Sequence, residues 1–485
     1  MHHLAVAVDT APSLFAALTL AIALLWIFAR HYSVGVGLLL ASQVWIVVAH
    51  GRLPALDVGL HAYPADFLSA CACLVALSRL LLHRVPARAG VLLILGMMAL
   101  TVWSIVRGIG VGGFQTAAND SRVYFFQVFA FTLYVATAPL SAAMGRVIGR
   151  AWLAAAAVYV VLSLAGWADA GLQAVGSPTA AVGAVTDARP VPANAALMLV
   201  QGAVLLLCPP ASDPRVPGRA GGGRSGTRRH RLIRSTLAVL LFVCVILLQH
   251  RTVWVVAAVV VVVYWALRPS PTGQRVATAV AGVLVGCLTA VCYGLGVFGS
   301  VGGKVAASLA DAQDSHSTFV WRILGWQELL SAPRPWVDWV VGSPFGSGYV
   351  RIVEGGLITV SPHDYYVHVA LRLGLVGLLL LVAVYTQVWW RLPRDGPGGL
   401  LLRLLIVSQL VFCAAYSASP EQGLLLGLCL WQIRFRTADR GTGKRSADVP
   451  GPLPRPAVVE PRTAWVPAGS GASHRRVARA APTCT

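Results

Sequence analysis

From Val253 to Leu267 the chain runs through valine, alanine and aromatic residues without one charged side chain, and Leu14–Ile27 and Leu237–Leu248 read the same way. A helix crosses a bilayer with roughly 20 mostly apolar residues, because every backbone N–H and C=O must be satisfied inside the segment. Stretches of this kind fall at 13–29, 34–49, 66–83, 88–106, 122–142, 150–168, 191–208, 233–249, 252–267, 276–298, 363–388 and 400–417. A thirteenth, at 421–433, is short for a full crossing. The expected fold is an all-α polytopic transmembrane bundle of about 12–13 spans. Composition agrees. Of 485 residues 57% are apolar and 12% charged, about half the charge of an ordinary soluble domain. Leu14–Ala29 follows no basic segment and precedes no small-residue cleavage site, so it reads as a retained first helix.

Arginine placement orients the bundle. The net charge is +20, and lysine occurs only at Lys304 and Lys444. Pro209–Arg234 holds seven arginines against Asp213, and arginines recur in 83–88, 145–150, 268–275 and 390–403. Alternating spans put all five segments on one side, which the positive-inside rule makes cytoplasmic. The basic excess therefore speaks for membrane topology and against nucleic acid. The chain divides into a membrane-embedded domain over 1–435 and a basic Pro/Gly/Ala-rich tail over 436–485. That tail is expected to be disordered and cytoplasmic. The opposite face receives one large loop, 299–361, with Trp321, Trp326, Trp336 and Trp339 among mixed charges. Long aromatic loops are functional more often than not. Short helices at the membrane interface are expected there, 319–330 first among them.

The nine cysteines show no paired metal spacing and mostly sit in apolar runs, so neither disulfides nor zinc is expected. Walker A, HExxH and acidic DxD patterns are absent.

Several polar residues stand where polarity is costly. Ser361-Pro362-His363-Asp364 reads as a helix start, with Ser361 as N-cap, Pro362 at N1 and Asp364 at N3. His363 then lies in a first turn, whose dipole disfavours imidazolium and leaves a neutral ring able to take a proton. Arg251, in the tight Gln249-His250-Arg251-Thr252 turn between two spans, needs a partner or a wet cavity. Arg322 lies in the loop and offers a planar fork suited to phosphate. Arg122 opens the fifth span, and Asp66 opens the third after Tyr63-Pro64. Arg372 falls nine residues after His363, roughly 13.5 Å along a helix, near mid-membrane and in need of an acid.

Three stretches together resemble the O-antigen ligase and polymerase superfamily: Pro344-Phe345-Gly346-Ser347-Gly348, His363-Asp364 opening a helix, and Gly374-Leu375-Val376-Gly377 eleven residues after the histidine. Arg251-Thr252, Trp321-Arg322 with Trp326, and Tyr63-Pro64-Ala65-Asp66 resemble further elements of that family. The likeness is specific over 240–390. Two positions depart: Asp364 replaces an asparagine, and Arg372 an acidic residue. The resemblance implies metal-independent, cofactor-free glycosyl transfer from a polyprenyl-diphosphate-linked glycan to a glycan, lipid or protein acceptor. The site would face outward from a bacterial cytoplasmic membrane. It implies His363 as general base and Arg251 and Arg322 on the diphosphate. Arg122, Asp66, Asp364 and Trp326 are the expected substrate-binding residues. A lipid-linked glycan transporter and a non-catalytic member of a wall-synthesis complex remain the alternatives.

Overall fold

The computed structural model describes residues 18–49, 56–57, 61–82, 89–141, 143–171, 175, 189–208, 224–268, 303, 318–353, 356–394 and 397–447. The span expected at 276–298 lies outside the described residues.

The protein is a helix bundle. In chain order the helices are α1 (Leu18–Arg30), α2 (Tyr32–Val48), α3 (Pro64–Leu82), α4 (Ala89–Ser121), α5 (Val128–Ala136), α6 (Met144–Ala170), α7 (Ala193–Leu207), α8 (Arg224–Leu247), α9 (Arg251–Leu267), α10 (Thr318–Ser331), α11 (Trp336–Val341), α12 (Tyr365–Arg391), α13 (Pro397–Cys413) and α14 (Pro420–Ala447). A π-helical stretch, Arg122–Gln127, joins α4 to α5. Two short antiparallel hairpins complete the described structure. In one, β1 (Leu56–Asp57) pairs with β2 (His61–Ala62). In the other, β3 (Arg351–Val353) pairs with β4 (Gly356–Ile358), with Ile352 opposite Leu357. Five helical stretches among the described residues are long and apolar enough to cross a membrane, and five shorter apolar helices accompany them. Large side chains such as Leu74, Trp103, Val161, Leu240, Val262 and Leu379 are exposed along these helices, as lipid-facing surfaces are.

Two helices are broken, and the breaks shape the molecule. In α4, Gly113 has φ 77° and ψ 164°. A continuous helix would hold Gly108 and Ala117 roughly 13.5 Å apart, yet a Cβ on Gly108 would stand 3.1 Å from that of Ala117. The chain therefore folds back at Gly113. One limb carries the span expected at 88–106, and the other leads into that at 122–142. In α12 the break is Gly374, with φ 64°. Tyr366 and Tyr385, which an unbroken helix would hold roughly 28 Å apart, bond to adjacent residues of α13. Tyr366 donates to the Leu410 carbonyl at 2.8 Å and Tyr385 to Gln409 Oε1 at 3.4 Å. The single span expected at 363–388 is thus two limbs meeting at an angle.

The bundle has two unlike ends. At one, arginines donate to carbonyls at or near helix C-termini: Arg234 to Leu205 (3.2 Å), Arg403 to Leu392 (3.0 Å), Arg434 to Ala136 (2.7 Å) and Arg79 to Phe28 (2.8 Å). Guanidiniums there satisfy orphan acceptors and oppose the negative end of the helix dipole. At the other end lie the β-hairpins, α10, α11 and the starts of α3, α7, α9, α12 and α14, crosslinked by contacts such as Ser417 Oγ to the Pro362 carbonyl at 3.2 Å.

The short stretch at 421–433 proves to be the first part of α14, which continues as helix to Ala447, past the boundary expected at 436. The chain divides into two units, Met1–Thr437 and Ala438–Thr485. The site lies wholly in the first.

Candidate functional site at the loop end of the bundle

The helix start at 361–364 is shifted from its expected position. Asp364 is the N-cap, its Oδ1 accepting from the Val367 N–H at 2.9 Å. Ser361 and Pro362 are not the cap and N1. They precede the helix, and α12 begins at Tyr365. An aspartate accepting two residues into the first turn is as good a cap as serine, and it leaves His363 just outside the helix. Burial pushes the Asp364 carboxyl above the usual range, against hydrogen bonds from the Val367 and Tyr366 amides.

His363 keeps one exposed side. Its other side packs toward Tyr416, with ring centroids 6.2 Å apart. The Arg322 guanidinium lies over the same tyrosine ring, 5.1 Å from its centroid, and Nη1 donates to the Ala415 carbonyl at 3.3 Å. Tyr416 thus brings together two residues that the sequence separates. Desolvation lowers the His363 pKa, and the positive charges of Arg322 and Arg351 lower it further. The neutral ring expected from the helix dipole is therefore favoured by different causes: packing and two cations. Trp326 stands on α10, one turn beyond Arg322, and is half-buried.

Arg372 finds its acid in Asp120, at the end of α4, with Nη2 to Oδ2 at 2.8 Å. It does not lie at mid-span. The helix breaks two residues later, and the guanidinium gathers the turn 344–348. It donates to the Pro344 carbonyl (3.0 Å), the Gly348 carbonyl (2.9 Å) and Ser347 Oγ, while Nε donates to Tyr349 Oη at 2.9 Å. The same carboxylate accepts from the Gly346 N–H at 2.9 Å and from the Tyr349 hydroxyl. Fully buried His368 faces that hydroxyl at 2.5 Å. Burial holds the Tyr349 phenol well above its usual pKa, so it stays a donor. The glycine turn and the helix break touch directly. A Cβ on Gly342 would meet the Arg372 carbonyl carbon at 2.2 Å, and one on Gly374 the Val340 oxygen at 2.3 Å. Two motifs separate in sequence are one structural unit. Asp120, Tyr349 and His368 escaped sequence reading. The one available signal was an aspartate between two predicted spans, where a charge is costly unless paired.

Asp66 and Arg122 also meet, chiefly each other. Asp66 Oδ2 accepts from the Tyr63 N–H (2.9 Å), closing the start of α3, and from Arg122 Nη1 (3.4 Å). Gln127 Nε2 donates to Oδ1 at 2.8 Å. Arg122 also lies 4.5 Å over the Tyr63 ring and donates to the His61 carbonyl at 2.9 Å. Arg251 is the first residue of α9 and half-buried. The turn before it is strained: Gln249 has φ 57°, and its buried side-chain amide has no partner. His250 Nε2 faces the Val191 carbonyl at 2.9 Å. Among the described residues no group of three or more His, Cys, Asp or Glu side chains converges.

No curated protein matches the chain. Residues 236–382 match the family model described as O-Antigen ligase, a stretch that runs from α8 into α12 and takes in Arg251, Arg322, Arg351, His363 and Arg372. On that match residues 236–382 are similar to the O-antigen ligase family, which supports a glycan-transfer role at a membrane.

Proposed function

We propose that the protein is a metal-independent membrane glycosyltransferase that moves glycan from a polyprenyl-diphosphate-linked donor onto an acceptor hydroxyl at the outer face of a bacterial cytoplasmic membrane. The observation that carries this reading is the juxtaposition of His363 and Arg322 across Tyr416 at the loop end of the bundle. Glycosyl transfer from a diphosphate needs a base for the incoming hydroxyl and positive charge for the leaving group. The acceptor oxygen attacks the anomeric carbon as its proton passes to the neutral His363 imidazole. The bond from that carbon to the diphosphate oxygen breaks, and the lipid diphosphate leaves with the electron pair. Arg322 and Arg251 stabilise that charge. Arg122 and Asp66 hold the neighbouring wall together, and Asp364 aims His363 by capping α12. Trp326 offers an apolar plate for sugar or lipid.

The alternative of a lipid-linked glycan transporter would draw on buried polar side chains between α7, α13 and α14. Gln201 donates to Ser408 (3.0 Å) and Gln422 (2.8 Å), and Gln409 to the Gln422 carbonyl (3.1 Å). These groups satisfy one another, as interhelical hydrogen bonds do, which favours packing over a path.

The test is a deletion strain complemented with wild type or His363→Ala, with surface glycan and lipid-linked intermediates analysed. Wild type should restore the glycan and His363→Ala should not. Single lipid-linked repeat units would accumulate if the protein polymerises, and long unligated chains if it ligates. Full glycan output from His363→Ala would end the enzymatic reading.

A further inference from the structure

Three arginines at the loop end are paired with carboxylates. Arg107 pairs with Asp338 at 2.6 Å, Arg122 with Asp66 at 3.4 Å, and Arg372 with Asp120 at 2.8 Å. Arg322 and Arg351 have no carboxylate within ion-pair reach among the described residues.

Arg351 is the more unusual of the pair. It sits on β3 at 5% exposure. Nη1 donates to the Tyr349 and Val360 carbonyls at 3.1 and 2.8 Å. Nε is sealed with no acceptor among the described residues. Gly325 of α10 abuts it: a Cβ there would stand 2.9 Å from Nε. Gly325 comes three residues after Arg322, on the same helix face. The contact between α10 and β3 therefore puts the two arginines on neighbouring elements. Val360, whose carbonyl Arg351 holds, is three residues before His363. Both cations are felt by that imidazole.

Withdrawing a cation from water without a counter-charge costs several kcal/mol. Two such groups on packed elements, both acting on one histidine, make a site that is complete only when an anion enters. We propose that Arg351 is a phosphate-binding residue that joins Arg322 in a two-guanidinium clamp for a diphosphate. Identifying that diphosphate with the donor's leaving group rests on the glycosyl-transfer reading. The clamp itself rests on the uncompensated charges.

The probe is inorganic pyrophosphate, titrated calorimetrically into the detergent-purified full chain. Arg351→Gln keeps a donor for the Val360 carbonyl and loses the charge. It should bind about tenfold more weakly or worse, the loss of one hydrogen bond to a charged group. Arg351→Lys should lose about threefold. Wild-type affinity in Arg351→Gln overturns the clamp. Should that variant fail to fold, Gly325→Ala leaves residue 351 intact while its methyl displaces Nε. A several-fold loss supports the proposal, and unchanged affinity overturns it. Orthophosphate binding as tightly as pyrophosphate would overturn the diphosphate assignment. His363→Ala separates the two ideas. Pyrophosphate binding retained with transfer lost supports both. Transfer retained sinks the reaction, and the Arg351 affinities then still decide the clamp.

Discussion

At the scale of single residues, the proposed base is a histidine whose proton affinity is set by its neighbours. His363 is held below the ordinary imidazole pKa by desolvation and by Arg322 and Arg351. A base acts in its neutral form, so transfer should persist to lower pH than an unperturbed histidine allows. It should fall as pH drops through that depressed pKa. Arg322→Gln removes one repelling charge, raises the imidazole pKa and moves the acid limb of the kcat/KM profile toward higher pH. A limb that stays in place in Arg322→Gln would separate Arg322 from the base. His363→Ala should lose the limb together with nearly all transfer, with general-base help accounting for about 10²–10⁴-fold.

At the scale of elements, the protein joins the broken helix α12 to the α4 hairpin through one buried ion pair. Removing one partner strands the other. Asp120→Ala should cost about 3–5 kcal/mol, whereas Asp120→Leu combined with Arg372→Met should recover much of that loss. Unfolding of the single and double variants in detergent checks this, and additive losses would mean the pair is not coupled. Gly374→Ala puts a methyl into the Val340 oxygen and a side chain at φ 64°. It should cost about 1–3 kcal/mol of strain and loosen the 342–348 turn. The elements of the large loop are turned inside out for a watery setting. In α11 the one charge, Asp338, points inward to Arg107, while Trp336, Val337, Trp339 and Val340 are exposed. On the hairpin Arg351 and Val353 are buried, while Ile352 and its partner Leu357 face out. Val340 touches Gly374, next to exposed Leu375, so this apolar surface continues the lipid-facing belt. Tryptophan favours that interfacial depth. A fluorophore on Trp336→Cys or Leu357→Cys should be quenched by spin-labelled lipid more than by aqueous iodide. The reverse order would place the loop in water.

At the scale of the whole molecule, the bundle is polar in the sense of having two unlike ends. One is capped by arginines on helix carbonyls, and the other carries the loop and the candidate site. Positive-inside bias predicts that the arginine end faces the cytoplasm. A membrane-impermeant maleimide should therefore label Val350→Cys in intact cells and Thr437→Cys only after permeabilisation. Labelling in the opposite pattern would turn the site inward.

Hydropathy and arginine placement by themselves determined the helix bundle, most of its spans, and the end where His363, Arg251 and Arg322 lie. Those properties follow from transfer of side chains to lipid, which each segment feels on its own. Local chemistry also marked 361–364 as a helix start, but two acceptable capping residues, Ser361 and Asp364, left the register to packing, which chose Asp364. The reversal between the spans at 88–106 and 122–142 was legible, but its place at Gly113 and the break at Gly374 were not, because a glycine within an apolar run is tolerated in a helix until a neighbour presses against it. Only the tertiary structure decided which charges are spent and which are free. Asp120 neutralises Arg372 and Asp66 neutralises Arg122, across long separations in sequence. Arg351 passes for a surface charge until β3 buries it against Gly325 of α10. Charge pairing depends on distance through space, and the chain reveals that distance only when folded.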